Sequence, residues 1–337
     1  MSKMFRNIVL TALFLAFVVI VLGAYVRLSD AGLGCPDWPG CYGKLLGVPS
    51  SDVEIHQANT NFDRAVEIGK AWKEMVHRYF AGTLGILIFI ISLYLVRKDD
   101  DGNRHIFSGI VLTSLLIFQA LLGMWTVTLQ LKPLIVMGHL LGGFALFNLI
   151  AWQWLRTKTF NIQLYVKDKS SLSLLAALTI FIAVCQIALG GWVSSNYAAL
   201  ACTDFPLCQQ SLWPDMDFKN GFILWRGLGV DYEFGILDHP ARVAIHYTHR
   251  IGALVAAGII IYYVMQLWAR SDTASRSLNT IGVIILGLLI AQISLGISNV
   301  YFKLPLLVAV AHNGVALLLL FSLVSSLYMI RSAQSFK

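Results

Sequence analysis

The chain has 337 residues, of which 57% are hydrophobic and only 13% are charged. Charged residues occupy roughly a quarter of the positions in soluble globular proteins, so this composition excludes that class and indicates an integral membrane protein. The net charge of +7 does not indicate a nucleic-acid-binding protein, because the basic residues are spread over short loops instead of forming one face.

Apolar segments of about 20 residues, the length that crosses a bilayer, recur along the sequence. The first follows Lys3 and Arg6 and resembles a signal peptide, but it is long enough to span and lacks a small-residue cleavage site. We therefore interpret it as a retained helix. The predicted spans are residues 8–28, 73–96, 106–129, 134–155, 172–194, 241–268, 278–300 and 305–330.

Basic residues predict the orientation of these eight spans. They occur at the two termini and in the loops 97–105, 156–171 and 269–277, and include Arg97, Lys98, Arg104, Arg156, Lys158, Lys167, Lys169, Arg270, Arg276, Arg331 and Lys337. The opposite short loops contribute little beyond Lys132 and Lys303. The positive-inside rule then places both termini in the cytoplasm and the long loops 29–72 and 195–240 outside.

Four of the five cysteines form two Cys-x5-Cys pairs in the outer loops, Cys35 with Cys41 and Cys202 with Cys208. An oxidising compartment favours a disulfide in each pair. We interpret both as structural staples of small turns, while a redox role for one pair stays open, because the spacing is not Cys-x-x-Cys. Cys185, in an apolar segment, is interpreted as a small buried hydrophobic residue.

The first half of the sequence repeats in the second. Leu22-Gly23-Ala24-Tyr25-Val26 matches Leu189-Gly190-Gly191-Trp192-Val193, and the offset of 167 residues holds for the cysteine pairs and drifts only to 173 for His139 and His312. Four spans in each half make these parallel repeats about an axis along the membrane normal. The sequence thus predicts an all-α integral membrane protein whose eight transmembrane helices form two pseudo-two-fold related four-helix bundles, residues 1–160 and 161–337.

Four repeat-related histidines lie in the second and fourth helices of the two halves: His77, His139, His249 and His312. At about 1.5 Å per residue all four lie roughly 8–14 Å below the outer surface. Two facing histidines at one depth in a four-helix bundle are the geometry of bis-imidazole haem ligation. Two haem sites are therefore predicted. A zinc site would need further ligands, and Glu74 or His246 could supply one but not a symmetric set.

Glu74 precedes His77 by one helical turn on the same face, and His246 takes the equivalent place in the second half. A carboxylate beside one haem only predicts that one site does chemistry and the other carries electrons. The alternative is a glutamate favoured by the helix dipole. Arg78 and Arg250 are candidate partners for haem propionates or residues that extend to the interface.

The remaining polar residues of these segments receive structural interpretations. Gln119 and Gln292 are candidate interhelical hydrogen-bond donors. His56, His105 and His239 are interpreted as solvated loop residues. The role of His246, second-shell partner or interfacial polar residue, is left open.

These motifs resemble the haem A synthase family over nearly the whole chain. The resemblance rests on eight spans in two halves, Glu74-x-x-His77-Arg78, His139 in the fourth helix, His249 and His312 at equivalent places, and cysteine pairs in the first and third outer loops. It implies that His77 and His139 hold the substrate haem O, with Glu74 as the catalytic carboxylate. His249 and His312 would hold a haem b cofactor, and Cys35–Cys41 would be the pair with functional weight.

The resemblance also implies a reaction and a setting. The C8 methyl of haem O would be oxidised in successive steps to the formyl group of haem A, for use by terminal oxidases, with water supplying the oxygen. The enzyme would lie in the cytoplasmic (inner) membrane, with its cysteine loops on the periplasmic or external side. Haem O synthase and an electron-transfer protein are the expected partners, a homo-oligomer is allowed, and nucleic acid is not expected.

The sequence is also compatible with two other classes of membrane protein. A bis-haem b electron carrier, such as a quinol-oxidising cytochrome b-like subunit, accounts for the four histidines but leaves Glu74 without a role. A transporter built from parallel repeats predicts discontinuous helices and polar groups at mid-depth, whereas the polar groups here cluster towards one surface.

Overall fold

The computed structural model describes residues 3–97, 105–157, 165–271 and 276–336. Nearly all of the regular structure in these ranges is helical. The elements are α1 Lys3–Leu28, α2 Asp52–Asn61, α3 Ile68–Val96, α4 Ile106–Thr128, α5 Pro133–Arg156, β1 Tyr165–Lys167, α6 Lys169–Ser195, α7 Phe218–Gly221, α8 His239–Arg270, α9 Arg276–Tyr301, α10 Leu306–Ser332 and β2 Gln334–Phe336.

Within the described ranges, eight of these helices are long and apolar enough to cross a membrane: α1, α3, α4, α5, α6, α8, α9 and α10. The predicted all-α class with eight spans is confirmed. The short helices α2 and α7 lie in the two long loops between spans, and β1 and β2 form one small parallel pair.

Local sequence sets several helix boundaries. The hydroxyl of Ser51 accepts a hydrogen bond from the Glu54 backbone N–H while the Glu54 side chain accepts from the Ser51 backbone N–H, so a capping box begins α2. Prolines precede or occupy the first turn of α5, α8 and α10, where a missing backbone N–H costs little. Most of the spanning helices extend a few residues beyond the predicted spans, whereas α4 ends one residue before the predicted end.

The internal repeat extends to the backbone conformation of the turns. Before α5, Gln130 and Leu131 have positive φ angles of 49° and 57°. Before α10, Lys303 and Leu304 have φ angles of 58° and 63°. The two tight turns thus use the same left-handed conformation at equivalent positions.

The chain divides into two compact units, Met1–Ile150 with Ile223–Ile236, and Ala151–Phe222 with Leu237–Lys337. In the first unit α3 packs against α1 and α4, and in the second α6 and α9 both pack against α8 and α10. The predicted boundary between residues 160 and 161 lies outside the described residues, and the two-fold relation of two bundles stays a prediction.

The segment Ile223–Ile236, called the strap below, belongs to the first unit although it follows α7. This differs from the prediction that loop 195–240 belongs as a whole to the C-terminal half. Arg64 forms ion pairs with Asp231, at 3.0 Å, and with Glu233 of the strap. The buried Lys132 ammonium donates a 2.6 Å hydrogen bond to the strap carbonyl of Arg226.

Cys185 is exposed on the surface of α6, so its interpretation as a buried residue is wrong. Its side chain lies on a face of the helix that the second unit does not cover. Lys98, Arg104, Lys158 and Lys337, which entered the orientation argument, lie outside the described residues.

Candidate functional site

Each unit contains two of the predicted histidines. In the first unit His77 of α3 interacts electrostatically with His139 of α5. In the second unit His249 of α8 interacts in the same way with His312 of α10. All four side chains are partly buried. The ligation of a haem by each pair stays a prediction.

A glycine of a neighbouring helix lies against the ring of each histidine. A methyl carbon added at Gly23 would lie 3.0 Å from Cε1 of His77, and one at Gly123 would lie 3.2 Å from Cε1 of His139. In the second unit the corresponding distances are 3.1 Å from Gly190 to His249 and 3.2 Å from Gly296 to His312. Since carbon atoms pack at about 3.5–4.0 Å, a side chain at any of these positions would require the histidine ring to shift by a few tenths of an ångström.

Glutamine amides contact three of the four histidines. Gln119 donates a 2.8 Å hydrogen bond to the backbone carbonyl of His139. The Gln186 amide nitrogen donates to the His249 carbonyl at 2.9 Å and lies 3.1 Å from its ring Nδ1, and that of Gln292 lies 3.2 Å from Nε2 of His312. The sequence singled out Gln119 and Gln292 but missed Gln186, whose repeat position is Val19. An isolated amide in an apolar helix is the signal that could have found it.

Glu74 and His246 occupy equivalent places between a cysteine turn and an arginine. Glu74 is buried; Oε2 accepts a 2.9 Å hydrogen bond from the Cys35 backbone N–H, and Oε1 accepts one of 2.5 Å from Arg78. His246 is also buried, with Nδ1 3.3 Å from the Cys202 backbone nitrogen. The sequence asymmetry at this position is therefore a substitution of one hydrogen-bond acceptor for another in the same network.

The two arginines hold the cysteine turns against the helices. The guanidinium of Arg78 donates to the carbonyls of Asp37, at 2.9 Å, and of Gly40. Arg250 donates to the carbonyls of Asp204 and Leu207, both at 2.8 Å. Their role as propionate partners stays a prediction. The contacts with the turns were not foreseen, since backbone acceptors leave no mark in a sequence.

The structure joins Cys35 to Cys41 and Cys202 to Cys208 as disulfides. Each closes a turn whose aspartate accepts two backbone hydrogen bonds. In the second turn Asp204 accepts from Gln210, at 2.8 Å, and from Gln209, at 2.7 Å, and the N–H of Gln210 is the main cause of the lowered pKa of Asp204. The aspartate therefore stabilises each turn by hydrogen bonds within it, and the arginine binds the turn from the adjoining helix.

The remaining histidines lie outside the two histidine pairs. His56 is exposed on α2, and His239 is exposed at the first residue of α8, where its ring contacts the Gln209 amide. His105 is partly buried just before α4, and its backbone N–H donates a 2.9 Å hydrogen bond to Leu95. These three histidines are not members of the two histidine pairs.

The chemistry of the histidine pairs fits a haem iron in each unit. The Nδ1 atoms of His77, His139 and His312 are buried and have no hydrogen-bond partner within the described ranges. Buried polar atoms normally find a partner, so unpartnered ring nitrogens indicate places where a further group binds. Imidazole is a common axial ligand of haem iron, and paired imidazoles satisfy both axial positions.

Comparisons with known proteins cover almost the entire chain. The sequence model of the COX15-CtaA family, described as cytochrome oxidase assembly protein, matches residues 6–324. A protein of Shewanella oneidensis named heme A synthase is 46% identical over 312 residues, which are 92% of each chain. Relatives with the same name from Caulobacter sp. and Halalkalibacterium halodurans are each 26% identical, over 91% and 88% of this chain and 90% and 86% of their own.

Proposed function

Because the chain belongs to the COX15-CtaA family of cytochrome oxidase assembly proteins, we propose that it is a haem A synthase, an oxidoreductase that converts the C8 methyl of haem O to a formyl group. The membership confirms the resemblance seen in the sequence. The observation that carries the proposal is the pair of imidazoles in each unit together with a carboxylate beside one pair only. An enzyme with a substrate haem and a cofactor haem needs two similar sites that differ at the reacting position.

We assign the substrate to the first unit. His77 and His139 would hold haem O, and His249 and His312 would hold haem b. A bound haem b supplies one-electron redox chemistry to the second unit. The assignment rests on Glu74, since the second unit has a histidine at the equivalent position and therefore lacks a carboxylate there.

Glu74 is the proposed catalytic carboxylate. Oxidation of a methyl group to a formyl group consumes one water and releases four electrons and four protons, so an acceptor of protons near the methyl is needed. Glu74 would take a proton at Oε1 or Oε2, or stabilise positive charge that develops at the methyl carbon. Arg78 places its guanidinium against the same carboxylate.

Arg78 and the Cys35–Cys41 turn position Glu74 from the outer side. The turn contributes the Cys35 N–H, and Arg78 ties the turn carbonyls to the same carboxylate. A carboxylate with two fixed partners keeps one orientation, which lowers the entropy cost of presenting it to a substrate. The turn also covers this end of α3 and limits the access of bulk water to Glu74.

The setting follows the same proposal. The protein would lie in the inner membrane with both termini in the cytoplasm and both cysteine turns outside, because the basic residues flank the opposite loops. A one-electron acceptor must remove the four electrons, and a protein that makes haem O must deliver the substrate. The chain would assemble with either of these proteins or with a second copy of itself. The names of the relatives do not favour the alternative of a bis-haem electron carrier.

The function is tested in a bacterial host that makes haem O but has no haem A synthase of its own. Expression of the chain should produce haem A, identified by chromatography and mass spectrometry of extracted haems. A His77→Ala variant at equal protein level should not. Membranes that contain the protein and haem O but no haem A would contradict the proposal.

A further inference from the structure

Four glycines form a repeated set that the proposed reaction does not itself require. Each lies on the helix next to the one that carries a candidate axial histidine, and it faces Cε1 of that histidine ring. The pairs are Gly23 with His77, Gly123 with His139, Gly190 with His249, and Gly296 with His312. In each half a glycine of the first spanning helix contacts the histidine ring of the second helix, and a glycine of the third contacts the histidine ring of the fourth.

We infer that these glycines are positioning residues that set the orientation of the axial imidazoles, an inference that rests on the proposed function and names the residues that shape both haem sites. The distances of 3.0–3.2 Å from an added methyl carbon to Cε1 are shorter than ordinary carbon contacts. A side chain at any of the four positions would require the ring, or the helix that carries the glycine, to shift by a few tenths of an ångström.

Not every glycine of the spanning helices lies close to a neighbouring group. Gly82 of α3, Gly258 of α8 and Gly287 of α9 would place a methyl carbon with no atom within 4 Å. Gly252 and Gly282 lie close to the side chains of Gln186 and Trp268, so the four glycines are distinguished by the histidine ring that each contacts. They also recur at both repeat offsets, 167 for Gly23 and Gly190 and 173 for Gly123 and Gly296.

The consequence for a bound iron is geometric. The rotation of an axial imidazole plane about its bond to iron affects the electronic structure of the haem. Groups around the ligand that fix this rotation therefore tune the metal. A ring confined against a glycine has little freedom to rotate. Replacing the glycine by alanine should rotate or retract the ring without removing the ligand.

The spectroscopic test uses the purified full chain with the haem b that it retains. Gly190→Ala and Gly296→Ala should shift the g-values of the oxidised haem b in electron paramagnetic resonance, since both change the orientation of one axial ring. Gly258→Ala and Gly287→Ala are matched controls on α8 and α9 and should give the wild-type spectrum. Wild-type spectra at full haem content in Gly190→Ala and Gly296→Ala would overturn the inference.

A second measurement needs no haem and decides the case in which an alanine variant is unstable. The effect of Gly190→Ala on the thermal unfolding midpoint in detergent is measured in the wild-type protein and again in the His249→Ala variant. The substitution should lower the midpoint by about 2–4 °C when the ring is present and by much less when it is absent. An equal loss in both backgrounds would overturn the inference. Wild-type protein that binds no haem b would instead overturn the proposed function.

Discussion

Glu74 accepts a 2.9 Å hydrogen bond from the backbone N–H of Cys35, a residue 39 positions earlier in the chain. The candidate carboxylate is therefore joined directly to the first cysteine turn. His246 and Cys202 repeat this contact at 3.3 Å in the second unit. Only the acceptor changes between the two, from a carboxylate to an imidazole, and the two units differ in chemistry while sharing a scaffold.

A substitution at Glu74 tests whether its carboxylate has a catalytic role or only a structural one. Glu74→Gln keeps the size and one acceptor oxygen but removes the charge, so haem A production should fall by about 100-fold or more, the usual range for loss of a proton-transferring group. Haem content and protein level should stay near wild type. His246→Gln is the matched control and should reduce production far less. Undiminished haem A from Glu74→Gln at normal protein level would rule out the catalytic role.

Loss of Arg78 should destabilise the protein through Glu74. Both side chains are nearly buried, 12% and 6% exposed, so Arg78→Ala leaves a buried carboxylate without its counter-charge. We expect a loss of about 3 kcal/mol in the free energy of unfolding, measured by denaturant titration in detergent.

Lys70→Ala is the control for that loss, because its pair with Glu67 is 29% and 62% exposed and such surface pairs contribute about 1 kcal/mol or less. Adding Glu74→Gln to Arg78→Ala should recover part of the stability. If Arg78→Ala costs no more than Lys70→Ala, the buried pair does not stabilise the turn and helix as described.

Gln186 should tune the haem of the second unit. Its amide contacts both the carbonyl and the ring of His249, and hydrogen-bond partners of metal ligands typically affect affinity by about 10–100-fold. Gln186→Met should therefore shift the midpoint potential of haem b in a redox titration and weaken its retention. Gln119→Met acts on His139 of the other unit and should leave that potential unchanged. Equal potentials in wild type and Gln186→Met would contradict the assignment.

Lys132 should control the exposure of the strap. Its ammonium donates to the carbonyls of Arg226 and Gly227 and lies 3.5 Å from the centre of the Trp225 ring. Lys132→Met removes hydrogen bonds from a charged group, so trypsin cleavage after Arg226 should accelerate by about tenfold. Lys303→Met, at an exposed position, removes a lysine without touching the strap. Equal cleavage rates in the two variants would mean that Lys132 does not hold it.

The sequence predicted what depends on local pattern. Apolar length defined the eight spans, and the repeat identified the histidine pairs and the place of Glu74 against His246. Contacts made by backbone atoms escaped it: no residue pattern indicates that Arg78 would bind the carbonyls of its own cysteine turn. Gln186 was missed because Val19 breaks the repeat at that position.

Non-local packing accounts for the other differences. The strap follows the second cysteine turn in sequence, yet Arg64 and Lys132 attach it to the first unit. Such an attachment depends on side chains far apart along the chain. Cys185 was expected to be buried because free cysteines usually are, but a helix that faces lipid can expose a small apolar residue at little cost.

The haem composition of the purified protein tests the central claim most directly. Haems extracted from detergent-purified wild type should comprise haem b together with haem O or haem A. His249→Ala should lose haem b, and His77→Ala should lose haem O and haem A while it keeps haem b. Haem b alone, at two per chain in the wild type, would contradict a substrate site beside a cofactor site and would indicate an electron carrier.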